Sequence, residues 1–282
     1  MTTTISNGKI SATIVSLGAE LIRLEKDNQN YIWTVDESYW NKTSPVLFPI
    51  VGRLKNDTYS VNGTEYSLPR HGFARNIDFK IVEQSEDTVT FMMESDENTL
   101  AIYPFFFRLL LSYKVIETFL TVSYTVINLS DVEMPFSIGA HPAFAIPGIF
   151  SDYSLVFEKN EPLISYQLHN EIFNSDTKKI PTKEGLLPLD YELFQKDALV
   201  FKNLASNAIS LLKHNKPILS VVFEGFDYLG IWTKPNAPFL CIEPWCGLSD
   251  HESHNGNLFE KEGIEILQAK QTLSRTIKIK IE

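Results

Sequence analysis

Apolar and polar residues alternate with a period of two along much of this chain. Leu120, Val122, Tyr124 and Val126 are separated by Thr121, Ser123 and Thr125. Ile277, Ile279 and Ile281 are separated by Lys278 and Lys280, and Val89, Phe91 and Met93 follow the same rule. Successive side chains of a strand point to opposite faces, so this pattern gathers apolar groups on one face of a sheet. Asn7-Gly8 and Asn62-Gly63 lie between strand-like runs and predict tight hairpin turns that need positive φ. Helical signals are few and short: residues 36–40, residues 190–195 and the stretch after Asp197 each suggest a single turn. No amphipathic heptad runs appear, and strands do not alternate with helices. The expected fold is therefore all-β, a large antiparallel β-sandwich with few short helices, not a parallel α/β fold. No linker or repeat interrupts residues 1–282, which read as one domain. The polar segment 162–188 reads as a loop decorating one face.

Composition adds limits on partners. The chain has 282 residues, a net charge of -10 and no dense Lys/Arg cluster. Nucleic acid and anionic membranes both select basic surfaces, so neither is an expected partner. The N-terminus lacks a signal-peptide pattern, and no apolar run approaches the ~18 residues that span a bilayer. The greasiest stretch, beginning Tyr103-Pro-Phe-Phe-Phe, is broken by Arg108. Cys241 and Cys246 make no disulfide framework, which suits a reducing cytoplasm. A monomer or homodimer is expected.

Four segments could carry chemistry. Arg53 follows a glycine at the end of Phe48-Pro-Ile-Val-Gly, where its planar fork of donors can meet hydroxyls or a carboxylate; a surface salt bridge is the plainer alternative. His71 sits in Pro69-Arg-His71-Gly-Phe-Ala-Arg75, next to a glycine that allows close backbone approach; taken alone, this stretch favours a structural histidine. His141 ends an apolar strand pattern in Gly-Ala-His141-Pro142, and the proline pushes it to an extended conformation. It reads either as a satisfied core histidine or as a catalytic one. Glu243 interrupts the apolar run Phe239-Leu-Cys-Ile, again before a proline. A carboxylate there is costly unless paired or used, and Arg53 is one possible partner. Trp245, two residues on, offers a flat apolar face that suits the C–H face of a pyranose. The spacing of His251 and His254 is i, i+3, wrong for a helical zinc motif. Residues 249–257 read as a solvated loop. The cysteines lack partners at zinc-finger spacing, and no phosphate-binding glycine loop is present. No metal, nucleotide or other cofactor is expected.

Taken together and in this order, the four segments resemble the aldose 1-epimerase (galactose mutarotase) superfamily, most closely its bacterial LacX-like branch. The resemblance runs from the first Asn-Gly turn to the last strand. It implies a large antiparallel β-sandwich of the mutarotase type with an open cleft on one sheet. It implies a small-molecule sugar as substrate and no cofactor. By motif match His141 is the general acid and Glu243 the general base, while Arg53 and His71 hold sugar hydroxyls. Asp227, in Gly-Phe-Asp227-Tyr-Leu-Gly, is similar in placement to an aspartate that contacts a ring hydroxyl, with a looser local match. Phe-Ala-Arg75 resembles the hexose-6-phosphate mutarotase branch, where the arginine helps hold phosphate. A phosphosugar substrate is therefore an alternative to a free hexose. A carbohydrate-binding or sensor protein without turnover is a second alternative.

Overall fold

The computed structural model describes residues 1–183 and 185–282. It is built almost wholly of antiparallel strands. A nine-stranded sheet holds Phe107–Ile116, Phe119–Asn128 and Thr272–Ile281 at its centre. In the last two, Val122 pairs with Ile277 and Leu120 with Ile279. The alternating residues noted above thus line one inward face: Leu120, Val122, Ile277 and Ile279 are all at most 2% exposed. A second large sheet runs from Ile138–Gly139 through Phe239–Cys246, Tyr228–Trp232, Leu199–Lys202 and Leu163–His169 to Ile172–Ile180. Its residues Leu229, Ile231, Leu240 and Ile242 join the same core cluster as Leu120 and Ile279, so the two sheets share one apolar interior. Smaller sheets, one of them the four strands between Thr2 and Asn30, flank this pair. This is the expected sandwich.

Local expectations fare variously. Asn62 and Gly63, with φ of 50° and 79°, turn between Thr58–Val61 and Thr64–Ser67 as predicted. Thr2–Ser6 and Ser11–Val15 pair across Asn7-Gly8. Residues 36–40 form a turn in which the Trp40 amide donates to the Asp36 carbonyl at 3.0 Å. Tyr191–Phe194 is a short 3-10 helix started by Asp190, whose side chain accepts from the Glu192 amide. After Asp197, however, the chain enters the strand Leu199–Lys202, because pairing with Tyr228–Trp232 overrides a local helical preference. The α-helix Glu97–Ile102 was not expected; Asp96 and Thr99 close a capping box at its start.

The largest correction concerns residues 162–188. They are not a loop: Leu163–His169 and Ile172–Ile180 pair as a long hairpin at the sheet edge. An edge hairpin tolerates a polar sequence, since much of it faces water. Glu184 lies outside the described residues.

The strand Phe239–Cys246 is buried along its whole length. Its even-numbered residues Leu240, Ile242 and Cys246 face the shared core, and its odd-numbered Cys241, Glu243 and Trp245 face the opposite side. That is why it reads as an unbroken apolar run with one carboxylate in it.

Candidate active site

On the outer side of that strand is a pocket of about 680 Å³, including its mouth. Strand geometry places its floor. Glu243 pairs with Gly230 on the neighbouring strand, and Trp245 is two residues on. A Cβ on Gly230 would lie 2.6 Å from the indole ring carbons of Trp245, so only glycine lets that ring lie across the sheet. Trp40, Trp232, Leu168 and Phe173 complete the apolar walls. The last two arrive on the edge hairpin.

His141 and Glu243 meet in this pocket. Nε2 of His141 lies 3.1 Å from Oε2 of Glu243, and the residues are 7% and 2% exposed. The imidazole stacks on Trp40, with ring centres 4.9 Å apart and planes at 29°. Burial penalises charge on both partners, in opposite directions. It pushes His141 down to about 3, helped by the positive charges of Arg70 and Arg75. It pushes Glu243 well above the usual carboxylate range, against the opposing pull of Arg70. Both shifts favour the uncharged forms, a neutral imidazole beside a neutral carboxyl. The carboxylate is not tied to Arg53.

His71 is fixed differently. Its backbone has a φ of 66°. The Gly52 amide donates to His71 Nδ1 at 3.0 Å, so Nδ1 is unprotonated and the proton of the neutral ring sits on Nε2. Burial, then the charges of Arg70, His141 and Arg75, lowers its proton affinity. A neutral His71 offers the pocket one N–H donor. The rings of His71 and His141 lie edge to face, 5.7 Å apart.

Of the expected site residues, His141, Glu243, His71, Arg75 and Trp245 line the pocket. Arg53 does not line it. Its guanidinium forms a two-pronged bond to Asp57 at 2.8 and 2.7 Å, and its remaining arm reaches Glu171 at 2.7 Å. It acts at one remove: Glu171 also binds Arg70, and Arg70 lines the pocket. Asp227 is likewise outside; it is exposed, on the turn preceding Tyr228–Trp232. The second carboxylate that lines the pocket, beside Glu243, is Asp197, just before Leu199–Lys202. Burial raises its pKa, while the amide of Ala198 donates to it at 2.7 Å.

Sequence reading missed Arg70, Asp197, Trp40, Trp232 and Ser249. Arg70 stands directly before His71, and that adjacency was the available signal. Asp197 precedes Ala-Leu-Val-Phe, a strand pattern that could have placed it at a strand mouth. Ser249 and Asp250, expected in a solvated loop, are 8% and 2% exposed. Asp250 is held by Lys261 at 2.8 Å, with both side chains 1% exposed. It also accepts from the Lys55 amide and receives Phe173 on its carbonyl, which ties three pocket-forming segments together.

Arg70 and Arg75 each keep a buried Nε without a protein partner. Arg75 donates through Nη2 to the Arg70 carbonyl at 2.8 Å. The pocket thus presents a paired imidazole and carboxyl, unsatisfied donors, a second carboxylate and flat aromatic faces.

The chain resembles known proteins along its length. The family model described as aldose 1-epimerase matches residues 1–263. The plasmid and chromosomal LacX proteins of Lactococcus lactis subsp. lactis are each 33% identical over 276 residues, covering 92% of both chains. A galactose mutarotase related enzyme from Lactobacillus acidophilus superposes with a TM-score of 0.96 at 30% identity, over 100% of this chain and 97% of that one. A galactose mutarotase-like protein from Lactobacillus casei superposes with a TM-score of 0.95 at 32% identity, over all of both chains. With the family matched over nearly its whole length, this chain belongs to the aldose 1-epimerase family.

Proposed function

We propose that this protein interconverts the α and β anomers of a hexose, with His141 and Glu243 as the acid–base pair. The supporting observation is the 3.1 Å contact between an imidazole and a carboxylate, both buried, at the floor of an aromatic pocket. Ring opening takes a proton from the C1 hydroxyl and gives one to the ring oxygen as the C1–O5 bond breaks. Rotation about C1–C2 and closure reverse both transfers. A pair that holds one proton between two sites matches this need, since each member must both give and take during one cycle. In this reading Glu243 serves the C1 hydroxyl and His141 the ring oxygen. The Nε2–H of His71 and the arginine donors orient hydroxyls and favour negative charge developing on oxygen. Trp245, Trp232 and Trp40 cover the apolar faces of the ring. A neutral sugar suits the local charge: Arg70 and Arg75 are offset by Glu171 and Asp197.

One observation favours a second substrate class. The unpaired Nε atoms of Arg70 and Arg75 suit a hexose 6-phosphate, whose oxygens take such donors well. Polarimetry or NMR exchange on freshly dissolved α-anomers, with and without a 6-phosphate, separates the two. Acceleration by the wild type should vanish in Glu243→Gln and His141→Asn. Arg75→Ala should impair only the phosphorylated sugars if they are the substrates. Saturable sugar binding with no acceleration for any hexose or hexose 6-phosphate would replace the enzyme with a sensor.

A further inference from the structure

Cys241 stands beside His141 and Glu243 and is not used in the proposed sugar chemistry. It is two residues before Glu243 on one strand, so both side chains emerge on the same face. His141 reaches that place from a neighbouring segment. One ligand atom from each (an imidazole nitrogen, the thiol sulfur and a carboxylate oxygen) all lie within 4.8 Å of one another. The three residues are 7%, 0% and 2% exposed. Cys241 is a free thiol.

We propose that His141, Cys241 and Glu243 form a binding site for a thiophilic divalent cation such as Zn²⁺, and that its occupation shuts down the acid–base pair. Nitrogen, sulfur and carboxylate oxygen are the donor types Zn²⁺ takes, and three protein donors with an open fourth position are a common arrangement. Zn²⁺ at its usual bond lengths keeps such donors roughly 3.3–3.7 Å apart, so the side chains need only close in by about an ångström. Charge favours the loaded state. A thiolate and a carboxylate balance the dication, leaving a neutral buried cluster where separate anions are penalised. His141 and Glu243 line the pocket, so water there can complete the coordination. The balance is simple: the thiol gives up one proton, the Glu243 carboxyl gives up its proton, and one cation enters. With both ligand atoms committed to metal, neither residue can relay a proton. The ion is thus an inhibitor of the proton relay, distinct from any cofactor.

The site rests on the same two residues as the proposed activity, so its test has a readout independent of turnover. Cd²⁺ is titrated into metal-free wild type and Cys241→Ala, following the ultraviolet thiolate-to-metal charge-transfer band. Zn²⁺ affinity and stoichiometry are measured by calorimetry on the same samples. Wild type should bind one ion with a thiolate band. Cys241→Ala should lose the band, bind at least an order of magnitude more weakly and retain its basal mutarotation in the presence of Zn²⁺. Cys246→Ala should behave as wild type. A wild type without the band, or a Cys241→Ala variant inhibited by Zn²⁺ to the same degree, overturns the proposal. A band without any mutarotation would sustain the metal site while rejecting the proposed enzyme.

Discussion

Gly52 and His71 bind each other twice. The Gly52 amide donates to the imidazole Nδ1 at 3.0 Å, and the His71 amide donates to the Gly52 carbonyl at 2.8 Å. This double link holds a histidine at positive φ and fixes which ring nitrogen carries the proton. It also depends on Gly52 being a glycine, at φ 72°, with an added Cβ only 2.0 Å from Ser249 Oγ and 2.7 Å from Ser249 backbone atoms.

The link yields a spectroscopic prediction. Nitrogen-15 NMR of the imidazoles should show His71 as the neutral Nε2–H tautomer, with no titration on lowering the pH through 6.5, the ordinary histidine value. Gly52→Ala should lower stability by more than the roughly 1–2 kcal/mol that left-handed backbone alone costs a residue with a Cβ, because the clash is with backbone as well. Urea denaturation measures the loss.

Stability should fall as the solution is acidified below pH 6.5, the ordinary histidine value. The unfolded chain protonates His71 and His141 there, whereas burial lowers both proton affinities in the native chain. The unfolded state then binds more protons, so stability rises with pH through this range. Glu243 acts with the opposite sign: burial raises its carboxyl, so its contribution is present at low pH and is lost as pH rises through its native value. Glu243→Gln should therefore steepen the acid loss. Asp197, also raised by burial, has the same sign as Glu243, and Asp197→Asn isolates its share. Denaturation midpoints from pH 4.5 to 8.5 provide the check.

The ion pair of Asp250 with Lys261 is buried on both sides. Removing one partner leaves a charge without compensation, so Lys261→Met should cost about 3–5 kcal/mol. Asp250→Asn should cost less, since an amide can still accept from the Lys55 amide. The double variant should recover part of the Lys261→Met loss. Chemical denaturation of the three variants gives the coupling directly.

Carboxylates inside and outside the pocket should differ in turnover. Asp197→Asn should impair mutarotation at least tenfold, the scale of losing one good polar contact of about 1.4 kcal/mol. Asp227→Asn should leave it unchanged. Arg53→Ala should raise KM through release of Glu171 and Arg70, with Arg53→Lys only partly restoring it, since an ammonium cannot reproduce the two-pronged bond to Asp57. Steady-state rates with the preferred hexose test all four.

The fold was legible because period-two alternation is written locally. Residues 120–126 and 277–281 each reveal the face they bury, and their pairing follows from closing the sheet. His141 and Glu243 were legible as candidates because each is an ionisable residue in an apolar run before a proline, while their pairing came from the resemblance of the ordered motifs. The edge hairpin Leu163–His169 and Ile172–Ile180 was not. Its polar sequence carries little burial signal, although it delivers Leu168 and Phe173 to the pocket.

By itself, then, the sequence determined an all-β chain, the faces of its central strands and His141 and Glu243 as candidate site residues. Tertiary structure decided which charged groups meet that pair. Arg53 is drawn off by Asp57 and Glu171, Arg70 enters in its place, and Asp197 lines the pocket while Asp227 faces solvent. The reason is physical: burial of a strand face depends on neighbours within a few residues. The partner that captures a guanidinium or carboxylate depends on segments such as Glu171, 118 positions away from Arg53, which only the folded sheets bring together.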